Sequence, residues 1–158
     1  MNNSLKYLAD LDYQERYKDG QFPEYARHRK RFSDKTANKL TQAIIHFLKL
    51  TGNHAERINT MGRPVDKTKT VSNTLGQRQR IGSIEWLPGS GQKGSADISA
   101  TINGRSVKIE VKMKDRQSQA QREYQRQIEA AGGKYWVCRS FDQFIDKYKN
   151  LLLQDKNR

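Results

Sequence analysis

The sequence predicts an α/β fold, a small central mixed β-sheet flanked by helices. Three observations carry that prediction. Apolar residues recur at helical spacing in three segments after residue 35. Short strand-like runs separate those segments, one of them alternating strictly. An Asn103-Gly104 pair, suited to a two-residue type I′ turn, joins two of the strands. A chain of 158 residues suffices for one compact core. Residues 36–158 therefore read as a single domain, and residues 1–35 as an appended helical arm.

In the arm, Leu5, Leu8 and Leu11 suggest a short helix, which Gly20 stops before Pro23 opens another turn. Residues 36–51 form the first strong helix. Ala37, Leu40, Ile44, Phe47, Leu48 and Thr51 share one face, and Gly52 stands where a left-handed cap belongs. Residues 54–60 follow as a short strand. Residues 63–96 are rich in glycine and turn residues and read as a loop or a long hairpin.

The clearest hairpin spans 96–102 and 105–113. In its second strand Val107, Ile109, Val111 and Met113 alternate with Lys108, Glu110, Lys112 and Lys114. Helix 118–131 opens with Ser118 and Gln121 at capping-box spacing, buries Ala120, Tyr124, Ile128 and Ala131, and ends at Gly132-Gly133. Residues 135–138 form a buried strand. Ser140 and Gln143 repeat the box, and Phe144, Ile145, Tyr148, Leu151 and Leu152 face inward on the last helix.

Charge narrows the function. Lys and Arg number 30 against 17 Asp and Glu, a net charge of +13. Such a domain repels itself, and phosphate is the usual partner that relieves the repulsion. Nucleic acid is the expected partner. No basic amphipathic helix favours a membrane surface, and no apolar run is long enough to span one. Residues 1–8 are polar, unlike a signal peptide. The single cysteine, Cys138, makes no internal disulfide and fits a reducing, cytoplasmic setting as an inert core thiol.

The hairpin carries the chemistry. With a two-residue turn, Ile102 opposes Arg105, Ala100 opposes Val107 and Ile98 opposes Ile109, so Asp97 falls opposite Glu110. Their Cβ atoms are then about 4.5–5.5 Å apart, and like charges so placed are destabilising unless compensated. One carboxylate is protonated, or a lysine lies between them, or a cation binds both. Lys112 is two residues past Glu110 and points to the same face. A hard divalent cation is held by one or two carboxylates and completes its shell with water and substrate phosphate.

These residues resemble the PD-(D/E)XK nuclease superfamily, and more narrowly its VRR-NUC-type domain. The resemblance spans about residues 37–150. It rests on Gly94-Ser95-Ala96-Asp97-Ile98, on Ile109-Glu110-Val111-Lys112, and on Ser118-x-x-Gln121 with Gly132-Gly133-Lys134-Tyr135-Trp136. It implies a restriction-endonuclease-like core and Mg²⁺- or Mn²⁺-dependent hydrolysis of phosphodiester bonds, usually in DNA. It implies Asp97 and Glu110 as metal ligands, with the Val111 carbonyl as a third. Lys112 would orient or help deprotonate the attacking water, or stabilise the charged transition state. Gln121 matches a polar active-site position, and is equally a capping-box residue. The related fold of Holliday-junction resolvases makes branched DNA a candidate substrate and a homodimer the expected assembly.

The sequence departs from that pattern in two places. Ala96 stands where proline is common, and residues 36–42 lack the glutamate that many relatives carry early in the first helix. Asn38 or Gln42 can hold only a metal-bound water there, and Glu56 is a candidate substitute carboxylate otherwise read as a surface residue.

Other signals are weaker. Residues 89–94 match G-x-G-x-x-G, but a strand follows, so a dinucleotide site is rejected. Those glycines read as a flexible loop that admits DNA to Asp97. His28, His46 and His54 lack ligand spacing, and His46 is structural. Trp86 is expected to pack in the core or a loop, with base stacking as the alternative. Arg57, Arg63, Arg78, Arg80, Lys93 and Lys114 are the candidate phosphate contacts. The leading function is a metal-dependent DNA endonuclease, with RNA left open. The alternatives are a non-catalytic nucleic-acid-binding module of the same fold, and a protein whose basic surface meets an acidic partner.

Overall fold

A computed structural model describes residues 3–58, 62–72, 75–87, 89 and 92–156. The chain divides into two units, Met1–Ile58 with Gly94–Arg158, and Asn59–Lys93. In the first unit, helices α1 (Asn3–Arg16) and α2 (Ala37–Leu50) precede strand β1 (His54–Arg57). The second holds β2 (Arg63–Asp66), β3 (Lys69–Ser72), β4 (Arg78–Ile81) and β5 (Ile84–Leu87). The first then resumes with β6 (Ile98–Ile102), β7 (Arg105–Val111), α3 (Gln119–Ala130), β8 (Lys134–Cys138) and α4 (Phe141–Lys156).

The sheet of the first unit is mixed, in the order β1-β6-β7-β8. β1, β6 and β7 run antiparallel, and β8 lies parallel to β7. The α/β class is as the sequence predicts. The hairpin register holds too: Ile102 opposes Arg105, and Ile98 opposes Ile109. Asn103 and Gly104 take φ values of 47° and 75°, the two positive angles a type I′ turn requires.

Alternation along the strands separates the sheet's two faces. Ile98, Ala100, Ile102, Val107, Ile109, Val111, Trp136 and Cys138 point to one face and form the main core with α1, α2 and α4. Leu8, Leu40, Ile44, Leu48 and Phe144 are fully buried there, each contributing about 1.5–3 kcal/mol by leaving water. α3 covers the other face. There Tyr124, Tyr135 and Ala96 form a smaller cluster flanked by Ile128 and Val137. That face also carries Lys108, Glu110 and Ser99.

Residues 1–35 are not an appended arm. The spacing of Leu5 and Leu8 gave the helix, but both side chains enter the main core. Asp12 is buried and pairs with Arg16 and with His46, whose Nε2 lies 2.7 Å from Asp12 Oδ1. His46 is structural, as expected. Asp34 Oδ2 accepts the Phe141 N–H at 3.1 Å, so the segment also caps α4. An arm's three leucines look the same whether they meet a partner or their own domain; only the tertiary contacts distinguish them.

The second unit is a long ribbon, one of the two forms the sequence allows. β2 pairs with β5 and β3 with β4, both antiparallel. One register runs through both pairs, from Arg63 opposite Leu87 to Ser72 opposite Arg78, and the Lys67 N–H donates to the Ser83 carbonyl at 3.2 Å between them. Trp86 lies on this ribbon at 63% exposed, with its indole against the Gly62 backbone, so it joins no core and only the loop side of the expected packing is seen. No third layer exists in a two-stranded ribbon to bury it.

Two strand ends also differ from expectation. The second hairpin strand stops at Val111 rather than 113, and β1 stops at Arg57, with residues 59–60 outside the described part. Beyond Ile98 the ladder is replaced by side-chain bonding at Asp97. Among the described residues no helix is long and apolar enough to cross a membrane.

Candidate active site

Asp97 sits just before β6, at the end of the hairpin ladder. Its Oδ2 accepts the Val111 N–H at 2.8 Å, and its carbonyl accepts the Ile58 N–H at 2.8 Å. A side chain has taken the place of a ladder carbonyl, which fixes the carboxylate against the end of β7. Glu110 lies on the neighbouring strand and is 2% exposed. Its Oε1 accepts from Gln121 Nε2 at 2.6 Å and faces Lys112 Nζ at 3.2 Å. Its Oε2 and the neighbouring Tyr135 hydroxyl are both buried and make no hydrogen bond of normal geometry, although the hydroxyl lies near enough to favour the Glu110 charge.

An uncompensated carboxylate oxygen in the interior is costly. Burial and then the Asp97 charge push the Glu110 pKa up to about 7, against the opposing pull of Lys112. Burial works against the Lys112 charge as well, but Glu110 and Asp115 outweigh it, and its pKa is raised. Lys112 therefore stands as an ammonium, also 3.3 Å from Asp115 Oδ2. Burial, then the Glu110 and Asp97 charges, raise the Tyr135 hydroxyl above its ordinary range.

Gln121 unites its two expected readings. Its Oε1 accepts the Ser118 N–H at 2.9 Å and its own N–H donates to Ser118 Oγ at 3.2 Å, completing the capping box. The same side chain's Nε2 reaches Glu110. Capping fixes one end of the amide, which leaves the other aimed at the carboxylate.

Gly94 positions this helix. Its φ is +84°, and a Cβ there would meet the Ala120 carbonyl oxygen at 2.4 Å. Close packing on the first turn of α3 is its role; residues 90–91 of the glycine loop expected to admit DNA lie outside the described residues.

Asp97, Glu110, Lys112 and Gln121 thus converge, with the backbone of Val111 beside them. The candidate substitutes do not join them. Asn38 Oδ1 accepts from Arg57 at 2.7 Å. Gln42 lines a surface groove with Phe32 and His46. Glu56 is exposed opposite Ser99 on the edge strand. Among the described residues no three His, Cys, Asp or Glu side chains cluster as a metal group. The carboxylates come as a pair.

That pair nevertheless suits a hard divalent cation. Two carboxylates of like charge share one end of a hairpin, and one buried oxygen makes no hydrogen bond of normal geometry. Mg²⁺ or Mn²⁺ is held by one or two carboxylates, with water and phosphate oxygens completing the shell.

All six candidate phosphate contacts are exposed. Arg57 and Lys114 belong to the first unit, and Arg63, Arg78, Arg80 and Lys93 to the second. Sequence reasoning missed Asp115 and Tyr135. Asp115 was findable, three residues past Lys112 where the strand gives out. Tyr135 needed the parallel register, which sets it opposite Lys108 on the Glu110 face. Cys138 is fully buried and its thiol is pushed up to about 12 by burial, so it is inert as expected. No protein-family model matches the chain, and no curated protein or solved structure matches it.

Proposed function

We propose that the protein is a metal-dependent nuclease that hydrolyses phosphodiester bonds in DNA, a member of the PD-(D/E)XK group that its motifs resemble. The observation that carries this reading is the buried Glu110 carboxylate beside that of Asp97, its Oε2 making no hydrogen bond of normal geometry, with the Lys112 ammonium on the same face. A structural carboxylate in that position would be expected to satisfy both oxygens.

Asp97 and Glu110 would hold Mg²⁺ or Mn²⁺, with the Val111 carbonyl as the further ligand implied by the resemblance. When bound, the cation polarises the phosphate and lowers the pKa of water. Gln121 fixes the rotamer of Glu110 through Oε1 and leaves Oε2 available. Lys112, held charged by Glu110 and Asp115, offers a positive group to the phosphate oxygens or orients the attacking water. A protonated Lys112 does not itself accept a proton, so the orienting and stabilising roles are favoured over deprotonation.

The missing third carboxylate favours one second reading, a nucleic-acid-binding module without turnover. The experiment that separates them uses labelled single-stranded, duplex, forked and four-way-junction DNA. Wild type and Lys112→Ala are compared with Mg²⁺, Mn²⁺ or EDTA. Metal-dependent cutting by wild type, lost in the variant while binding persists, is the expected result. Binding without cutting on every substrate would overturn the nuclease in favour of the binding module. The panel also reports branch preference, and the sedimentation of the intact protein tests the expected homodimer.

A further inference from the structure

Among the described residues each strand of the second unit's ribbon pairs with only one other, which leaves both outer edges without a strand partner. Val71, Ile81, Ile84 and Trp86 are exposed on it, at 44%, 48%, 67% and 63%. A lone two-stranded ribbon is marginally stable in water. Exposed apolar groups on such an element mark a surface built to be covered.

Register separates its faces, since Cα partners point the same way. One face carries Trp86, Ile84, Thr68, Thr70, Ser72, Arg78 and Arg80 with a single acid, Asp66. Bonds across the strands agree: Arg80 donates to Thr68 Oγ1 and to Asp66 Oδ2, each at 2.9 Å. The opposite face carries Lys67 paired with Glu85, together with Lys69, Val71 and Ile81. Both acids are thus engaged. Arg63, Lys69 and Arg78 have no ion-pair partner among the described residues.

We propose that the ribbon from Arg63 to Leu87 is a duplex-DNA reader, seated in the major groove with its Arg78 and Arg80 face toward the DNA. A two-stranded ribbon fits a groove about 12 Å wide. Its strands, running from Arg63 to Ser72 at about 3.3 Å per residue, span roughly one helical turn. The distal half of the face is all hydrogen-bond donors of the kinds that meet phosphates and base edges: Arg78, Arg80, Ser72 and Thr70. Arg80 is held in place by Asp66 and Thr68, while Arg78 remains available. Trp86 and Ile84 supply apolar area toward the base of the same face.

Charge selects this occupant. A second copy would bring like-charged ribbons together, and apolar groups on both faces do not make the one-sided surface that enters a membrane. Duplex RNA offers a deep, narrow major groove that a ribbon does not enter. The inference rests on the nucleic-acid part of the proposed function and is independent of cleavage.

Trp86 allows a direct test, because the other tryptophan, Trp136, is buried. Acrylamide quenching of the intact wild-type protein is measured in EDTA with duplex DNA, single-stranded DNA and duplex RNA. Duplex DNA is expected to protect Trp86 most. In anisotropy titrations, Arg78→Ala/Arg80→Ala is expected to lose at least about tenfold in duplex affinity and to lower the salt slope by about two. Lys69→Ala, on the opposite face, is expected to stay within about threefold.

Equal losses in the two variants, or full quenching of Trp86 in the saturated complex, would overturn the proposal. Protection of Trp86 by self-association or by anionic vesicles, with none from duplex DNA, would overturn it as well. If the duplex binds and is cut while Trp86 stays accessible, only the ribbon's role falls. If no nucleic acid binds, the broader reading falls with it.

Discussion

Glu110→Gln should stabilise the metal-free protein at alkaline pH, although it removes a group placed at the centre of the site. The variant keeps an oxygen for Gln121 and deletes the charge that burial and Asp97 disfavour. A rise from the ordinary 4.5 to about 7 is equivalent to about 3 kcal/mol at 1.36 kcal/mol per tenfold. That shift is already net of the Lys112 attraction, and solvent screening on the Lys112 side reduces it to about 1–2 kcal/mol.

The sign is fixed by proton linkage. The folded state holds the Glu110 proton more tightly than the unfolded chain, so its stabilising effect is full below pH 4.5 and is lost as pH rises through about 7. Wild type and variant should therefore match near pH 4. At pH 8 the variant should melt about 2–8 °C higher, at roughly 2–4 °C per kcal/mol for a chain this size. Thermal unfolding of both in EDTA at the two pH values is the assay. Mg²⁺ should then raise the wild-type midpoint at pH 8 and leave the variant's nearly unchanged. A variant less stable than wild type by more than about 2 kcal/mol at pH 8, the size of a lost buried hydrogen bond, would refute the reasoning.

Three further outcomes are expected. Gln121→Glu retains the capping oxygen but removes the Nε2 donor to Glu110, so helix stability should hold while cleavage falls by at least about tenfold; unchanged cleavage would remove Gln121 from the site. Gly94→Ala meets the Ala120 carbonyl in a left-handed conformation and should cost about 1–3 kcal/mol in urea unfolding, with a parallel loss of cleavage as the first turn of α3 shifts. Leu8→Ala should destabilise the whole protein by about 2–5 kcal/mol, where an appended arm would give a change near zero.

Much of the site was legible because local rules act over short spans. Asn103-Gly104 fixes its turn through backbone sterics, and that turn alone sets Asp97 against Glu110. Alternation then puts Lys112 beside Glu110, and the Ser118-Gln121 spacing places a cap. The dual use of Gln121 was visible only as two competing readings, since each hydrogen bond needs a different part of one amide and the fold supplies both.

The sequence by itself determined the elements, the hairpin register and the identity of the converging residues, because backbone sterics and side-chain periodicity are local. Tertiary structure decided the rest. It drew Leu5 and Leu8 into the core, left Trp86 outside it, and set Tyr135 beside Glu110 through a parallel pairing across α3. It also raised the Glu110 pKa, because burial is a property of everything packed around a carboxylate and not of its neighbours in the chain.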